Sequence, residues 1–242
     1  MSFLDRFKIA SSEWRLPGEQ DRVSIVGKTG SGKTVMGLHI LREMQLYEKM
    51  PWVIIDYKGD DHIAKIPARI LPPRSEPPKE PGLYKLSASP FQNANDPVDA
   101  FLKKVWHNGD TGLFFDEAYM LPDRYGRTDS GTLRALFTTG RSRHIPIISL
   151  SQRPVDVTRY NFSEASHHVI FRLNDKRDRD TVRQYVPQEH FDSAFESGTP
   201  LKKHHSLWYD VDEDNVFEML PCPDPKTVVS RFRYLAEKTK WK

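Results

Sequence analysis

A chain of 242 residues, 38% hydrophobic and 29% charged, can bury one sizeable core but not several. Its formal net charge of +3 excludes a polycation, so any attraction to nucleic acid has to come from local patches. The sole cysteine, Cys222, rules out an intrachain disulfide framework and a cysteine-built zinc site, and suits a reducing cytoplasm. Residues 1–10 carry Asp5, Arg6 and Lys8 with no apolar centre, unlike a secretory signal, and no stretch approaches the roughly 18 apolar residues of a membrane span. A soluble protein is expected.

Residues 1–20, with Trp14 and a turn at Pro17-Gly18, read as a packing arm. The β-branched run Val23-Ser24-Ile25-Val26 predicts a buried strand that stops at Gly27. Gly27-Lys28-Thr29-Gly30-Ser31-Gly32-Lys33-Thr34 then satisfies G-x-x-x-x-G-K-[ST] in full. In such a loop the glycines let successive N–H groups point at a phosphate chain. Lys33 supplies a point charge for the β- and γ-phosphates, and the Thr34 hydroxyl is placed for Mg²⁺. Val35, Leu38, Ile40, Leu41 and Met44 form the stripe of a following helix, whose positive end faces the same phosphates.

A second strand is expected at Trp52-Val53-Ile54-Ile55, ending in Asp56-Tyr57-Lys58-Gly59. Strand, helix and strand make a βαβ unit, hence a parallel sheet with a right-handed crossover. Eight prolines between Pro67 and Pro97 predict surface loop, with a short strand at residues 83–86 and a spacer role for Pro72-Pro73 and Pro77-Pro78. Val98, Phe101, Leu102 and Val105 give a helix that ends at Asn108-Gly109.

Leu113-Phe114-Phe115 is an apolar strand running into Asp116-Glu117, 83 residues beyond Lys33. Next to a phosphate loop this pair has a chemical reading. Asp116 holds Mg²⁺ through its water shell, and Glu117 orients and deprotonates the attacking water. The acid pair favours an ATP-hydrolysing motor over a kinase or GTPase, and no N-K-x-D guanine motif occurs.

A loop with Pro122 and Gly126 precedes a helix over residues 132–137. Residues 145–150 predict a fourth strand, tipped by Ser151-Gln152-Arg153-Pro154, which puts Gln152 beside the γ-phosphate as a sensor. From Arg134 to Arg153 there are four arginines (134, 141, 143 and 153) and no acid. Arg141, with Arg143 second, is the candidate arginine finger acting on a neighbouring subunit's site; contact with DNA phosphate is the rival reading for either. His167-His168 opens a fifth strand, and with no third ligand nearby both read as packing or surface groups.

Residues 176–186 read as an exposed helix, and Leu207-Trp208-Tyr209 and Val216-Phe217-Glu218-Met219 flank an acidic turn as a hairpin. The stretch from Lys226 to Lys242 holds six basic residues against Glu237 alone, with Val229, Phe232 and Leu235 on one helical face. Docking on the domain is expected first, contact with DNA second. Arg159, Arg177, Arg179 and the tail lysines are further candidates for DNA contact.

Taken in order, G-K-T-G-S-G-K-T, D-Y-K-G, L-F-F-D-E and G-R-S-R-H-I-P-I-I-S-L-S-Q-R-P make the chain similar to the FtsK–HerA superfamily of DNA-pumping ATPases, over residues 23 to about 173. The resemblance implies an α/β, RecA-like (ASCE) P-loop fold: a mostly parallel central sheet flanked by helices, here with a small C-terminal hairpin and helix. It implies ATP and Mg²⁺ as cofactors and a ring, usually hexameric, that threads double-stranded DNA. FtsK-type translocases add a membrane portion and a winged helix, and HerA-type proteins an N-terminal barrel; neither is found here. The chain therefore looks most like the small genome-packaging ATPases of internal-membrane double-stranded DNA viruses such as tectiviruses. Expected divisions are an arm (1–20), an ATPase domain (21–220) and a basic tail (221–242). The expected function is an ATP-driven DNA translocase in the host cytoplasm, with a portal or membrane partner at a virion vertex. The alternatives are an ATPase that moves protein in assembly or secretion, a conjugation-type DNA transfer ATPase, a nucleotide switch and a small-molecule kinase.

Overall fold

The computed structural model describes residues 16–44, 46–88, 97–121, 131–195, 201–219 and 221–239. Trp14, Pro122, Gly126, Lys240 and Lys242 lie outside the described residues. In chain order the elements are β1 (Arg22–Val26), α1 (Lys33–Met44), β2 (Pro51–Asp56), α2 (Asp61–Ala64), β3 (Arg69–Leu71) and β4 (Gly82–Leu86). They continue with α3 (Pro97–Asn108), β5 (Gly112–Asp116), α4 (Thr132–Thr139), β6 (Ile147–Ser151), α5 (Tyr160–Ser163) and β7 (His167–Phe171). Last come α6 (Lys176–Arg183), α7 (Gln188–Phe195), β8 (Ser206–Asp210), β9 (Asn215–Met219) and α8 (Pro225–Thr239).

The described strands form a single sheet in the order β3-β4-β2-β5-β6-β1-β7-β8-β9. From β3 across to β7 every neighbouring pair is parallel, whereas β8 runs antiparallel to β7 and β9 antiparallel to β8. The expected hairpin is therefore the last part of the main sheet. β1 lies between β6 and β7, with Val26 level with Ser151 on one side and Ile170 on the other. In open parallel sheets a ligand crevice forms where strand order reverses, at the carboxyl ends of the strands.

Both faces of the sheet are covered, and the two-residue period of a strand sorts the side chains between them. Trp52, Ile54, Phe114, Ile148 and Leu150 pack with Val35, Leu38 and Leu41 of α1 and with Val228, Val229 and Phe232 of α8. Their alternates Val53, Ile55, Leu113, Phe115 and Ile147 pack with Phe101 and Val105 of α3 and Leu136 and Phe137 of α4. A third cluster at the β7 side joins Ile170 and Leu207 to Phe162, Val182 and Phe191. Gly112 is required by Trp52, whose ring would stand 2.2 Å from a Cβ at that position.

Several elements depart from expectation. The proline-rich segment holds β3, which survives there because it is an edge strand; Ile70 is 67% exposed. The fourth strand starts at Ile147, not Ile145, because Pro146 has no donor; its carbonyl still accepts from Leu113 N at 2.9 Å. Asp178 and Val182 of α6 are buried, so that helix is not fully exposed. His167 and His168 are buried, and His168 stacks on Tyr209 with ring centroids 6.1 Å apart. No cluster of metal-ligating residues occurs among the described residues. Nor is any described helix long and apolar enough to cross a membrane.

Candidate active site

The site is built on the rim where β1, β5 and β6 end. After Val26 the backbone turns through Gly27, where a Cβ would meet Phe171 Cβ at 2.5 Å, and through Gly30 and Gly32 at φ of 71° and 106°. Those two positive φ values suit glycine and curl the loop around a concavity. Gly27 N donates to Ser151 O at 3.2 Å and Lys28 N to Arg172 O at 2.8 Å, which ties the loop to the ends of β6 and β7. This corrects the expectation that successive N–H groups of the loop all point at a phosphate chain: the Lys28 N–H is spent on Arg172 and is not a phosphate donor. Ser31 N is spent as well, donating to Lys28 O at 3.2 Å, so the donors left to a phosphate are the other N–H groups after Lys28 in the loop and those that open α1, which have no partners within the helix.

Lys33 is buried, and its Nζ donates to Lys28 O at 3.2 Å. Burial lowers its ammonium pKa to about 8, against the opposing pull of Glu117 and Asp116. Thr34 Oγ1 donates to Asp116 Oδ1 at 3.1 Å. Burial, reinforced by Glu117, raises the Asp116 carboxyl to about 7. Its other oxygen, Oδ2, is buried without a hydrogen-bond partner among the described residues. A desolvated carboxylate with one unpartnered oxygen, next to a threonine hydroxyl, suits a hard divalent cation held by oxygens.

Glu117 follows at φ 61° and ψ 65°, in the left-handed region. Successive strand side chains point to opposite faces. Leaving β5 through this conformation brings both acids to the same crevice. Gln152 at the tip of β6 fixes Glu117 twice, by its backbone N to Oε2 at 3.2 Å and by its side-chain Nε2 to Oε1. The Gln152 Oε1 in turn accepts from Thr29 Oγ1, so phosphate loop, sensor position and acid form one hydrogen-bonded chain. Lys58 Nζ stands 3.7 Å from Glu117 Oε1. Its backbone is braced by Asp56, whose Oδ1 accepts from Lys58 N at 3.0 Å and Gly59 N at 2.8 Å.

Lys33, Thr34, Lys58, Glu117 and Gln152 line one cavity of about 280 Å³ with His204, Cys222 and Pro223. His204 Nδ1 lies 3.0 Å from Ser31 O, and Cys222 Sγ donates to Gly32 O at 3.6 Å. Sequence reasoning assigned no role to Lys58, His204 or Cys222. Lys58 was visible inside D-Y-K-G, but the other two carry no local signal.

The basic residues differ in what holds their side chains. Arg143 lies over Trp106 at 4.0 Å and donates to His107 O at 3.4 Å. Arg153 pairs with Asp156 and Asp175 at 3.5 Å and Asp178 at 3.8 Å, and Arg134 covers Tyr160 at 5.5 Å. Arg141 is exposed; its backbone O accepts from His144 N at 3.2 Å, while no hydrogen bond, ion pair or ring contact holds its side chain among the described residues. Its turn leads into the start of β6, five residues of strand and so roughly 17 Å from the Gln152 end. Arg141 cannot serve its own cavity from there. Arg179 Nη1 donates to Leu173 O and Asn174 O at 3.3 and 2.8 Å, and Arg159 and Arg177 are exposed.

Fold and cavity together define a P-loop ATPase of the RecA-like kind, with its acid pair one strand removed from the strand that feeds the phosphate loop. The chain belongs to the family of the DNA packaging ATPase P9 of Enterobacteria phage PRD1, with which it shares 37% identity over 222 residues, 90% of this chain and 94% of that one. No protein-family model matches it. Among solved structures it resembles the genome packaging NTPase B204 of Sulfolobus turreted icosahedral virus 2. The TM-score is 0.66 with the sulfate complex (21% identity; 85% of this chain, 98% of that one) and 0.62 with the ATP-γ-S complex (18%; 84% and 98%). The pCW3 conjugation coupling protein TcpA, solved with ATP-γ-S, gives 0.60 at 15% identity over 89% of this chain and 65% of that one. At those identities the structural likeness is one of fold.

Proposed function

We propose that the protein is an ATP-hydrolysing motor that moves double-stranded DNA in the packaging of a viral genome. The family of the phage packaging ATPase P9 supports the activity and the DNA substrate. The observation that carries the chemistry is the convergence of the two motifs, Thr34 Oγ1 on Asp116 Oδ1 with Glu117 held beside them by Gln152. In this reading Gly27, Thr29, Gly30, Ser31 and Gly32 shape the phosphate cradle. Lys33 neutralises the β- and γ-phosphates, and Thr34 and Asp116 hold Mg²⁺, which when bound supplies charge neutralisation at the transferred phosphoryl group. Glu117 accepts the proton of the attacking water, and Gln152 reports the γ-phosphate to Thr29. Lys58, the cation nearest Glu117 Oε1, adds a second positive charge at the γ-phosphate end. Arg141 completes a neighbour's site, which makes the working unit a ring with head-to-tail interfaces.

Packaging also requires the motor to dock where DNA passes into the capsid, so a portal or membrane protein at a vertex and a place of action in the host cytoplasm belong to the same reading. The test is the ATPase rate with and without linear duplex DNA over a salt series. Hydrolysis should rise with DNA, and the stimulation should weaken steeply with salt. Glu117→Gln should keep nucleotide binding and lower hydrolysis by about 10²–10⁴-fold. A rate indifferent to DNA, or unchanged by Glu117→Gln, overturns the reading.

A further inference from the structure

The cavity has a second wall that phosphate chemistry does not use. Residues 222–225, which join β9 to α8, lie across the phosphate loop, and His204 stands beside them. Sheet order puts this wall and the catalytic acids on opposite sides of β1. Glu117 and Gln152 follow β5 and β6, whereas His204 leads into β8 and residues 222–225 follow β9, so both reach the loop from the β7 side. A triphosphate bound in the loop has its γ end at Glu117, where the attacking water must be. Its ribose and base must therefore leave in the other direction.

We infer that residues 222–225 and His204 form the seat of the nucleobase, an inference that rests on the reading of this cavity as the ATP site. The chemistry of the wall suits a planar ring. Pro223 and Pro225 present rigid apolar faces with no N–H to satisfy. His204 is held in place by Ser31 O at 3.0 Å, and the Cys222 thiol by Gly32 O at 3.6 Å. Gly32 leaves the room for both, since a Cβ there would lie 3.3 Å from Cys222 Sγ and 3.4 Å from His204 Nδ1. Asp224 caps α8, its Oδ2 accepting from Thr227 N at 3.1 Å. The strap is thus anchored at one end on the phosphate loop and at the other on a helix packed against α1. A base seated on it links nucleotide occupancy to the C-terminal helix.

Trypsin sites at Lys203 and Lys226 isolate the whole wall in one peptide, residues 204–226, while the facing wall with Asp60 and His62 falls in residues 59–65. Photolabelling the full chain with 8-azido-ATP should mark the 204–226 peptide, with protection by unlabelled ATP and loss of the label in Lys33→Ala. A label confined to residues 59–65, or to any other peptide, overturns the inference while leaving the ATPase reading standing. Calorimetry supplies the second arm. Pro223→Gly should weaken ATP by about ten-fold and leave inorganic tripolyphosphate within two-fold, because stacking acts on the base alone; His204→Ala, which also frees Ser31 O, should weaken ATP more than tripolyphosphate. If ATP and tripolyphosphate weaken together, these residues shape the loop and hold no base. If the wild-type protein binds neither ligand, the ATP site itself is wrong and both readings fall.

Discussion

Glu117 is buried, acidic, and in a backbone conformation that costs a Cβ-bearing residue about 1–2 kcal/mol. The strain sits where the second acid must turn into the crevice, so removing the carboxylate and removing the Cβ have separable effects. Glu117→Ala and Glu117→Gly should both lose hydrolysis, yet the glycine variant should unfold about 1 kcal/mol later than the alanine one, read from denaturant midpoints. Equal midpoints would show that the left-handed turn carries no strain. His168 makes a different prediction. Burial, helped by the neighbouring His167, lowers its pKa from 6.5 to about 3. Between those values the unfolded chain binds a proton that the native one does not. Stability is therefore full above pH 6.5 and falls toward pH 3 by about 1.4 kcal/mol per unit. His168→Phe, which keeps a ring against Tyr209, should lose one proton's worth of that slope in urea titrations between pH 6.5 and 4. The phosphate loop, the acid pair and Gln152 were legible in the sequence because each is a local pattern at a strand end. Lys58 was visible inside D-Y-K-G without its role, and His204 and Cys222 left no local signal, because the approach of all three to the site depends on which strands become neighbours.

At the scale of elements, the βαβ start, the strand before the acids and the hairpin followed from periodicity, since their apolar residues repeat at two or at three to four. β3 and α7 were missed. β3 has three residues among prolines, and α7 buries only Phe191 and Ala194, so neither leaves a stripe long enough to read. α8 shows a gain in meaning. Its apolar face is visible in sequence, but its partner is α1, whose first turn carries Lys33 and Thr34. Phe232 is fully buried with its ring 5.9 Å from Tyr47, and Arg231 donates to Glu43 Oε1 of α1 at 2.9 Å. Phe232→Ala should cost about 3–5 kcal/mol by opening a cavity between the two helices. Arg231→Ala removes a partly exposed pair and should cost under about 1 kcal/mol. A Phe232→Ala midpoint no lower than that of Arg231→Ala would mean that α8 does not stay docked in solution.

For the whole molecule the question is what completes the site. The cavity holds Lys33 and Lys58 as cations of its own, while Arg141 faces solvent at the far end of β6. If Arg141 acts across an interface, each active site combines Glu117 from one subunit with Arg141 from the next, and hydrolysis per molecule should rise with protein concentration as subunits associate. Mixing two inactive variants tests the geometry directly. An Arg141→Ala subunit still offers Glu117, and a Glu117→Gln subunit still offers Arg141. In a random equal mixture one interface in four pairs a good acid with a good arginine, so activity should recover to about a quarter of the wild-type rate if sites fire independently. Arg143→Ala should not behave this way, because that guanidinium is already engaged by Trp106 and His107 O. A mixture no more active than its two components would place Arg141 outside the hydrolytic site. The same variant's affinity for duplex DNA over a salt series would then decide whether it contacts phosphate, since losing one such contact lowers the salt slope by about one.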